Sequence, residues 1–248
     1  MNVKAVYQRP ESLREVSTHY CPGCGHGVIH RIITEIIDEL GARERTLSVA
    51  PVGCAVLAYD YFDFDCMEAP HGRTPAVATG LKRVHPDHLV FTYQGDGDLA
   101  AIGTGEIIHC ANRGENISVI FVNNGTYGMT GGQMAPTTLL KQKTSTTSQG
   151  RDAGLAGFPL KITEMLSLTP GSAFLARSSV TSPANIRKTK KFIRKAFQVQ
   201  EKKQGFSLVE ILSSCPVNMR KTPVEANQWI DENSSEIFKL GIIKDVTG

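Results

Sequence analysis

Short apolar runs rich in β-branched residues alternate with helical stripes along nearly the whole of this 248-residue chain, and that alternation limits the fold more than any other feature. Ile29, Ile32, Ile33, Ile36, Ile37 and Leu40 fall on one helical face, and Gly41 follows where a C-terminal cap glycine belongs. Residues 47–50, 89–93, 117–122, 173–176 and 207–212 read as strands, while 75–84 and 99–112 read as helices. Thr222-Pro223-Val224-Glu225 announces a last helix: Thr222 can cap it, Pro223 opens it and Glu225 closes a capping box. This rhythm predicts an α/β fold, a parallel sheet with helices on both faces. No linker interrupts it, so residues 1–248 are expected to form one domain with an N-terminal cysteine segment and a C-terminal helical tail. In such sheets ligands bind at the carboxyl ends of the strands, where strand order reverses.

Composition narrows the class. Hydrophobic residues make up 41% and charged residues 21%, ordinary values for a soluble globular protein. A formal charge of +3 is too small to argue for nucleic acid or a membrane surface. The most basic stretch, residues 187–203, has Ile186, Ile193, Ala196, Phe197 and Gln200 near helical spacing. Its Lys and Arg residues therefore read as one solvated helix face, with an acidic partner protein as the alternative. Residues 1–20 carry no apolar run behind a basic end, so no signal peptide is expected, and charge breaks every apolar run before it could span a membrane. The expected location is the cytoplasm. Residues 141–153, rich in Thr, Ser and Gln, read as a surface loop or lid.

The segment Tyr93-Gln94-Gly95-Asp96-Gly97-Asp98 leaves a strand and opens a helix. Glycines there let the backbone approach a phosphate, and a helix N-terminus favours its charge. A dinucleotide fits poorly. Asp96 inside the loop would repel a bare pyrophosphate unless a divalent cation stood between them. The next strand ends not in an acid for ribose but in Asn123-Asn124-Gly125-Thr126, uncharged oxygen donors of the kind a magnesium ion takes beside one carboxylate and two phosphate oxygens.

Six cysteines are present: Cys21, Cys24, Cys54, Cys66, Cys110 and Cys215. In a cytosolic chain they read as thiols or metal ligands rather than disulfides. Cys21-Pro22-Gly23-Cys24 allows a thioredoxin-like redox pair, since a helix N-terminus lowers a thiol pKa. A zinc ribbon would need a second close pair, which is absent. An iron–sulfur cluster needs four thiolates, two of which can come from distant loops.

A Gly-Asp-Gly loop, a helix, a strand and then Asn-Asn resembles the thiamine-diphosphate motif, and the separation of Asp96 from Asn123 matches it. The run Tyr127-Gly128-Met129-Thr130-Gly131-Gly132-Gln133, together with His71-Gly72-Arg73 followed by Pro75, Ala78, Gly80 and Lys82, resembles the beta subunits of 2-oxoacid:ferredoxin oxidoreductases more than decarboxylases or acetolactate synthases. The resemblance runs from about Tyr20 to about Asn218. It implies that Asp96, the Asn124 side chain and the Thr126 carbonyl hold Mg2+, and that Gly53, Cys54, Ala55, His71, Gly95, Gly97, Asp98, Gly128 and Met129 face the cofactor; a plain turn is the other reading of His71. It also implies a [4Fe-4S] cluster on Cys21, Cys24, Cys54 and Cys215, with Cys66 the rival to Cys54 and Cys110 a small core residue. After Cys54 the chain departs from some relatives, with Ala55-Val56-Leu57 where they carry a small pair and a lysine.

The activity this resemblance implies is oxidative decarboxylation of a 2-oxoacid, 2-oxoglutarate or a branched-chain acid such as 2-ketoisovalerate, to acyl-CoA and CO2, with electrons passing through the cluster to ferredoxin. The glutamate that activates the cofactor is expected on an alpha subunit, because Glu68 and Glu106 lack the right context. No residue of this chain is then catalytic by itself. Gamma and ferredoxin-like delta subunits are the other expected partners.

Overall fold

The computed structural model describes residues 8–248; residues 1–7 of the segment in which no signal peptide is expected lie outside the described residues. The strands are β1 (Thr46–Ala50), β2 (Asp65–Glu68), β3 (Leu89–Gly95), β4 (Ser118–Asn123), β5 (Thr126–Tyr127), β6 (Gln133–Met134), β7 (Ser172–Ser179), β8 (Phe206–Leu212) and β9 (Gly241–Asp245). The helices are α1 (His26–Glu39), α2 (Ala58–Tyr61), α3 (Thr74–Val84), α4 (Thr104–Asn112), α5 (Ala153–Ala156), α6 (Ile162–Ser167), α7 (Pro183–Glu201), α8 (Pro216–Met219), α9 (Pro223–Trp229) and α10 (Ser235–Ile237).

Seven strands form one sheet in the order β2-β1-β3-β4-β8-β7-β9. All neighbours run parallel except β9, which pairs antiparallel with β7 at the edge. Side chains of a strand point alternately to its two faces, so a sheet covered on both sides must be apolar at every position. Along β4, Ile120 and Val122 join the core beneath α1 and α7, and Val119 and Phe121 join the core beneath α3, α4 and α6. The α/β expectation therefore holds. From β1 the chain steps to one side for β2 and to the other for β3, so strand order reverses between β1 and β3, and a crevice opens at their carboxyl ends.

Three local differences from the sequence reading have physical causes. The helix expected over 99–112 is broken: a π-helical turn covers Asp98–Ile102, and α4 starts only after Gly103. A Cβ on Gly103 would stand 2.8 Å from the Gly72 carbonyl oxygen, so two glycines pack backbone to backbone and the His71-Gly72 turn sits on the wide turn. The C-terminal segment carries the expected Thr222–Glu225 capping box but continues past its helices into β9. Residues 141–153 have no extended regular structure before α5, yet Arg151 within them is buried. Its guanidinium donates to the carbonyls of Pro136 (2.8 Å), Thr138 (2.7 Å), Ala156 (2.9 Å) and Phe158 (2.8 Å), which ties two loops together.

The basic stretch lies on α7 as expected, with Ile193, Ala196, Phe197 and Gln200 buried. Much of its charge is matched within the chain: Lys190 reaches Glu35 and Glu39, and Arg194 pairs with Glu39. Among the described residues no helix is long and apolar enough to cross a membrane.

Candidate functional site

A cavity of about 220 Å³ opens at the crevice between β1 and β3. Its walls are the ends of strands: residues 51–55 after β1, 95–98 after β3, and Val122, Asn124 and Thr126 around the end of β4. Residues 127–130 and His71 close it, and His26 at the start of α1 reaches it. All nine residues expected to face a cofactor line this one cavity, as do Asp96, Asn124 and Thr126.

Asp96 is buried at the base. Its carboxylate accepts from Asn124 N (3.2 Å), Thr126 N (3.1 Å) and Thr137 Oγ1 (2.8 Å). Burial raises its pKa to about 7 against those hydrogen bonds, because neutral donors replace only part of the lost water. The Asn124 side chain faces the cavity, with its Oδ1 3.3 Å from Thr126 N. Asn123 does not share that role. It donates to Glu210 Oε1 on β8 at 2.7 Å, and Glu210 pairs with the fully buried Arg177 on β7. The first asparagine thus fixes the strand end and the second projects from it.

Asp98 is equally buried, but its carboxylate turns into the protein. It accepts from Gly72 N (2.8 Å), Thr74 Oγ1 (2.8 Å) and Gln94 Nε2 (2.7 Å), and His71 Nδ1 lies 2.9 Å away. Asp98 therefore fastens the His71 turn to the glycine loop. Glu106 is occupied by an ion pair with Arg73, and Glu68 sits on the edge strand β2.

The cysteines divide into two sets. Cys24 N donates to Cys21 O at 3.0 Å in the turn before α1, Cys54 follows β1 and Cys215 follows β8. A Cβ added to Gly128 would meet Cys54 Sγ at 3.0 Å and Cys215 Sγ at 3.6 Å, so both sulfurs crowd the same point at the cavity wall. Burial, reinforced by the neighbouring cysteines, pushes Cys24 up to about 11 and Cys54 up to about 12. Cys215 is raised as well, again by burial first, against an Asn218 side-chain N–H that donates to its sulfur at 3.2 Å. Cys66 stands apart on β2, paired across to Ser48, and Cys110 is buried in α4 near Thr79. Among the described residues no three His, Cys, Asp or Glu side chains converge on one ion.

Behind the cysteines lies an aromatic layer with no signal in the linear sequence. His26 Nδ1 is 2.5 Å from Tyr93 OH, Tyr20 OH is 3.1 Å from His30 Nε2, and His19 Nε2 is 2.9 Å from Cys54 O. Burial lowers His26 to about 4 and lowers His30 well below its ordinary value, so both imidazoles are neutral. Thr137 and Asn218 were equally invisible: Thr137 reaches Asp96 across 41 positions, and Asn218, three residues after Cys215, also donates to the Gly128 carbonyl across 90 positions.

Residues 52–211 match the family described as thiamine pyrophosphate enzyme, C-terminal TPP binding domain. The chain is 46% identical over 252 aligned positions to ketoisovalerate oxidoreductase subunit VorA of Methanothermobacter marburgensis, covering 98% of this chain and 53% of that protein. It thus spans about half the length of such relatives. It is 33% identical to 2-oxoglutarate synthase subunit KorB of Methanocaldococcus jannaschii, covering 94% of this chain and 83% of the other. Among solved structures it is similar to 2-oxoglutarate:ferredoxin oxidoreductase from Magnetococcus marinus, with TM-score 0.82 and 26% identity, covering 99% of this chain and 87% of that one.

Proposed function

The chain belongs to the thiamine-pyrophosphate-binding subunits of the 2-oxoacid:ferredoxin oxidoreductases, and from that premise we propose that it works within a complex that oxidatively decarboxylates a 2-oxoacid to an acyl-CoA and CO2 and hands the electrons to ferredoxin. The balanced conversion takes one 2-oxoacid, one coenzyme A thiol and two oxidised ferredoxins to one acyl-CoA, one CO2, two reduced ferredoxins and a proton. A branched-chain acid such as 2-ketoisovalerate is the favoured substrate, because identity to the ketoisovalerate subunit, at 46%, exceeds the 33% to a 2-oxoglutarate subunit. 2-Oxoglutarate is the second reading, supported by the likeness to the Magnetococcus marinus enzyme.

The observation that carries the proposal is the buried Asp96 carboxylate beside Asn124 and Thr126, in one cavity whose wall also holds the Cys54 sulfur. A carboxylate this buried, held only by neutral donors, fits a cation, and amide and carbonyl oxygens around it fit Mg2+. Asp96, the Asn124 side chain and the Thr126 carbonyl would hold that ion, and Thr137 would fix the carboxylate's rotation. Gly53, Ala55, Gly95, Gly97, Gly128 and Met129, which line the cavity, would face the cofactor. Asp98 would hold His71 by Nδ1, leaving Nε2 for the bound molecule. Cys21, Cys24, Cys54 and Cys215 would hold a [4Fe-4S] cluster, and the Asn218 N–H would orient Cys215. When bound, thiamine diphosphate supplies the electron sink that lets CO2 leave a 2-oxoacid, and the cluster supplies a one-electron carrier.

The cavity's own carboxylates are Asp96 and Asp98, and both are occupied in the roles above. The acid that activates the cofactor is therefore assigned to an alpha subunit, with gamma and ferredoxin-like delta subunits completing a cytoplasmic assembly. Chemical analysis tests the cofactor set. Iron and acid-labile sulfide at about four each per chain, with one thiamine diphosphate, support it. Bound thiamine diphosphate with iron and sulfide near zero would replace it with a non-redox decarboxylase.

A further inference from the structure

We propose that the face formed by the Cys21–Cys24 turn, α8, α9 and the groove beside them docks the acidic electron acceptor through Lys141, Lys143 and Lys221; this rests on the oxidoreductase reading above.

The groove, about 370 Å³, adjoins the cysteine site. It shares Thr126 with the cofactor cavity, and its wall includes Asn218, whose Nδ2 is 3.2 Å from Cys215 Sγ. Lys141, Lys143 and Lys221 line it and are exposed. Among the described residues no carboxylate stands within ion-pair distance of any of the three. On the most basic helix, α7, Lys190 and Arg194 are matched by Glu35 and Glu39, while Arg187, Lys188 and Lys191 enter no ion pair among the described residues. What sets Lys141, Lys143 and Lys221 apart is their position beside the cysteines. Glu225, next to Lys221, spends its carboxylate on the Thr222 cap.

The cysteine nearest solvent lies on the same face. Cys21 is exposed, and its turn rests on α9: a Cβ on Gly23 would stand 2.3 Å from Pro223 Cγ. Arg220 sits between α8 and α9 in a left-handed conformation (φ 53°) and is exposed beside Lys221. Val217 and Val224, on the same two helices, are 58% and 76% exposed. Exposed apolar residues on the same face as these cations match a small, transient redox interface, in which opposite charge steers the encounter and apolar contact holds it briefly. The partner that fits is an acidic redox protein of the ferredoxin class. Each encounter moves one electron from the reduced cluster to the oxidised acceptor without making a bond, so two encounters serve each 2-oxoacid oxidised.

The test uses the intact holo-complex, a purified ferredoxin and two readouts: the affinity for ferredoxin across a salt series, and 2-oxoacid-dependent viologen reduction. In the triple variant Lys141→Glu, Lys143→Glu, Lys221→Glu, ferredoxin binding at low salt should weaken roughly tenfold or more and lose most of its salt dependence, while viologen reduction stays at the unmutated rate. The milder Lys→Gln triple should fall between. A control, Lys191→Glu with Lys202→Glu on and after α7, should bind as the unmutated complex does. Unchanged affinity and salt slope in the triple variant would overturn the proposal, as would an equal loss in the control. An unmutated complex that reduces no viologen with any 2-oxoacid contradicts the oxidoreductase reading instead, and the binding series still decides the docking face.

Discussion

The hydrogen bonds to the Asp96 carboxylate come from neutral donors, backbone N–H groups and the Thr137 hydroxyl. Asp96→Ala should therefore abolish thiamine diphosphate binding and spare the fold, at a cost of roughly 3–5 kcal/mol in cofactor affinity, the scale of a broken buried charge pair. Equilibrium dialysis of the purified complex checks this, and a full complement of cofactor in the variant would remove Asp96 from the metal. Cys54→Ala and Cys215→Ala should each bleach the visible iron–sulfur absorption, whereas Cys66→Ala and Cys110→Ala should leave it intact. The sulfurs of the first two flank Gly128, while Cys66 lies on the edge strand. His30 carries a pH prediction. Its folded pKa is depressed by burial, so below about 6.5 the unfolded chain takes up a proton that the folded chain refuses. Stability should fall as pH drops below that point, by about 1.4 kcal/mol per pH unit from this one group. His30→Phe should flatten the slope of unfolding free energy against pH by that amount; identical slopes would mean His30 is charged in the fold.

Strands and long helices were legible in the sequence because their signals are local. Alternate faces of β4 are apolar on both sides, and the isoleucine stripe of α1 and the Thr222–Glu225 box need only neighbours a turn away. The glycine loop and its two asparagines were legible for the same reason, as strand ends with fixed offsets. Illegible were the parts set by distant packing. Nothing near Asn123 says that it would be taken up by Glu210, and nothing near Leu99 says that the Gly72 turn would pack against Gly103 beside a π turn. The edge strands β2 and β9 are short and half exposed, so their pattern is weak. The Arg177–Glu210 pair beneath Asn123 is the element-scale test. Arg177→Leu leaves Glu210 buried without its cation and should lower stability by about 3–5 kcal/mol. Thermal unfolding measures it, and a shift within the scatter of surface substitutions would mean that β7 and β8 do not depend on the pair.

At the scale of the whole molecule, the seven-stranded sheet opens a cavity at its switch point, and that cavity's own carboxylates, Asp96 and Asp98, are both held by hydrogen bonds within the chain. The assembly expected around it should bury more than about 2,000 Å² in total, as obligate complexes do. Reconstituted with iron, sulfide, Mg2+ and thiamine diphosphate, the chain alone should show no 2-oxoacid-dependent viologen reduction comparable to the complex. The most direct measurement is that same assay on the intact complex, with coenzyme A and a panel of 2-oxoacids. The account predicts rapid, coenzyme A-dependent reduction, fastest with a branched-chain 2-oxoacid. A complex fully loaded with thiamine diphosphate and iron–sulfur cluster that reduces viologen with none of the panel would contradict it.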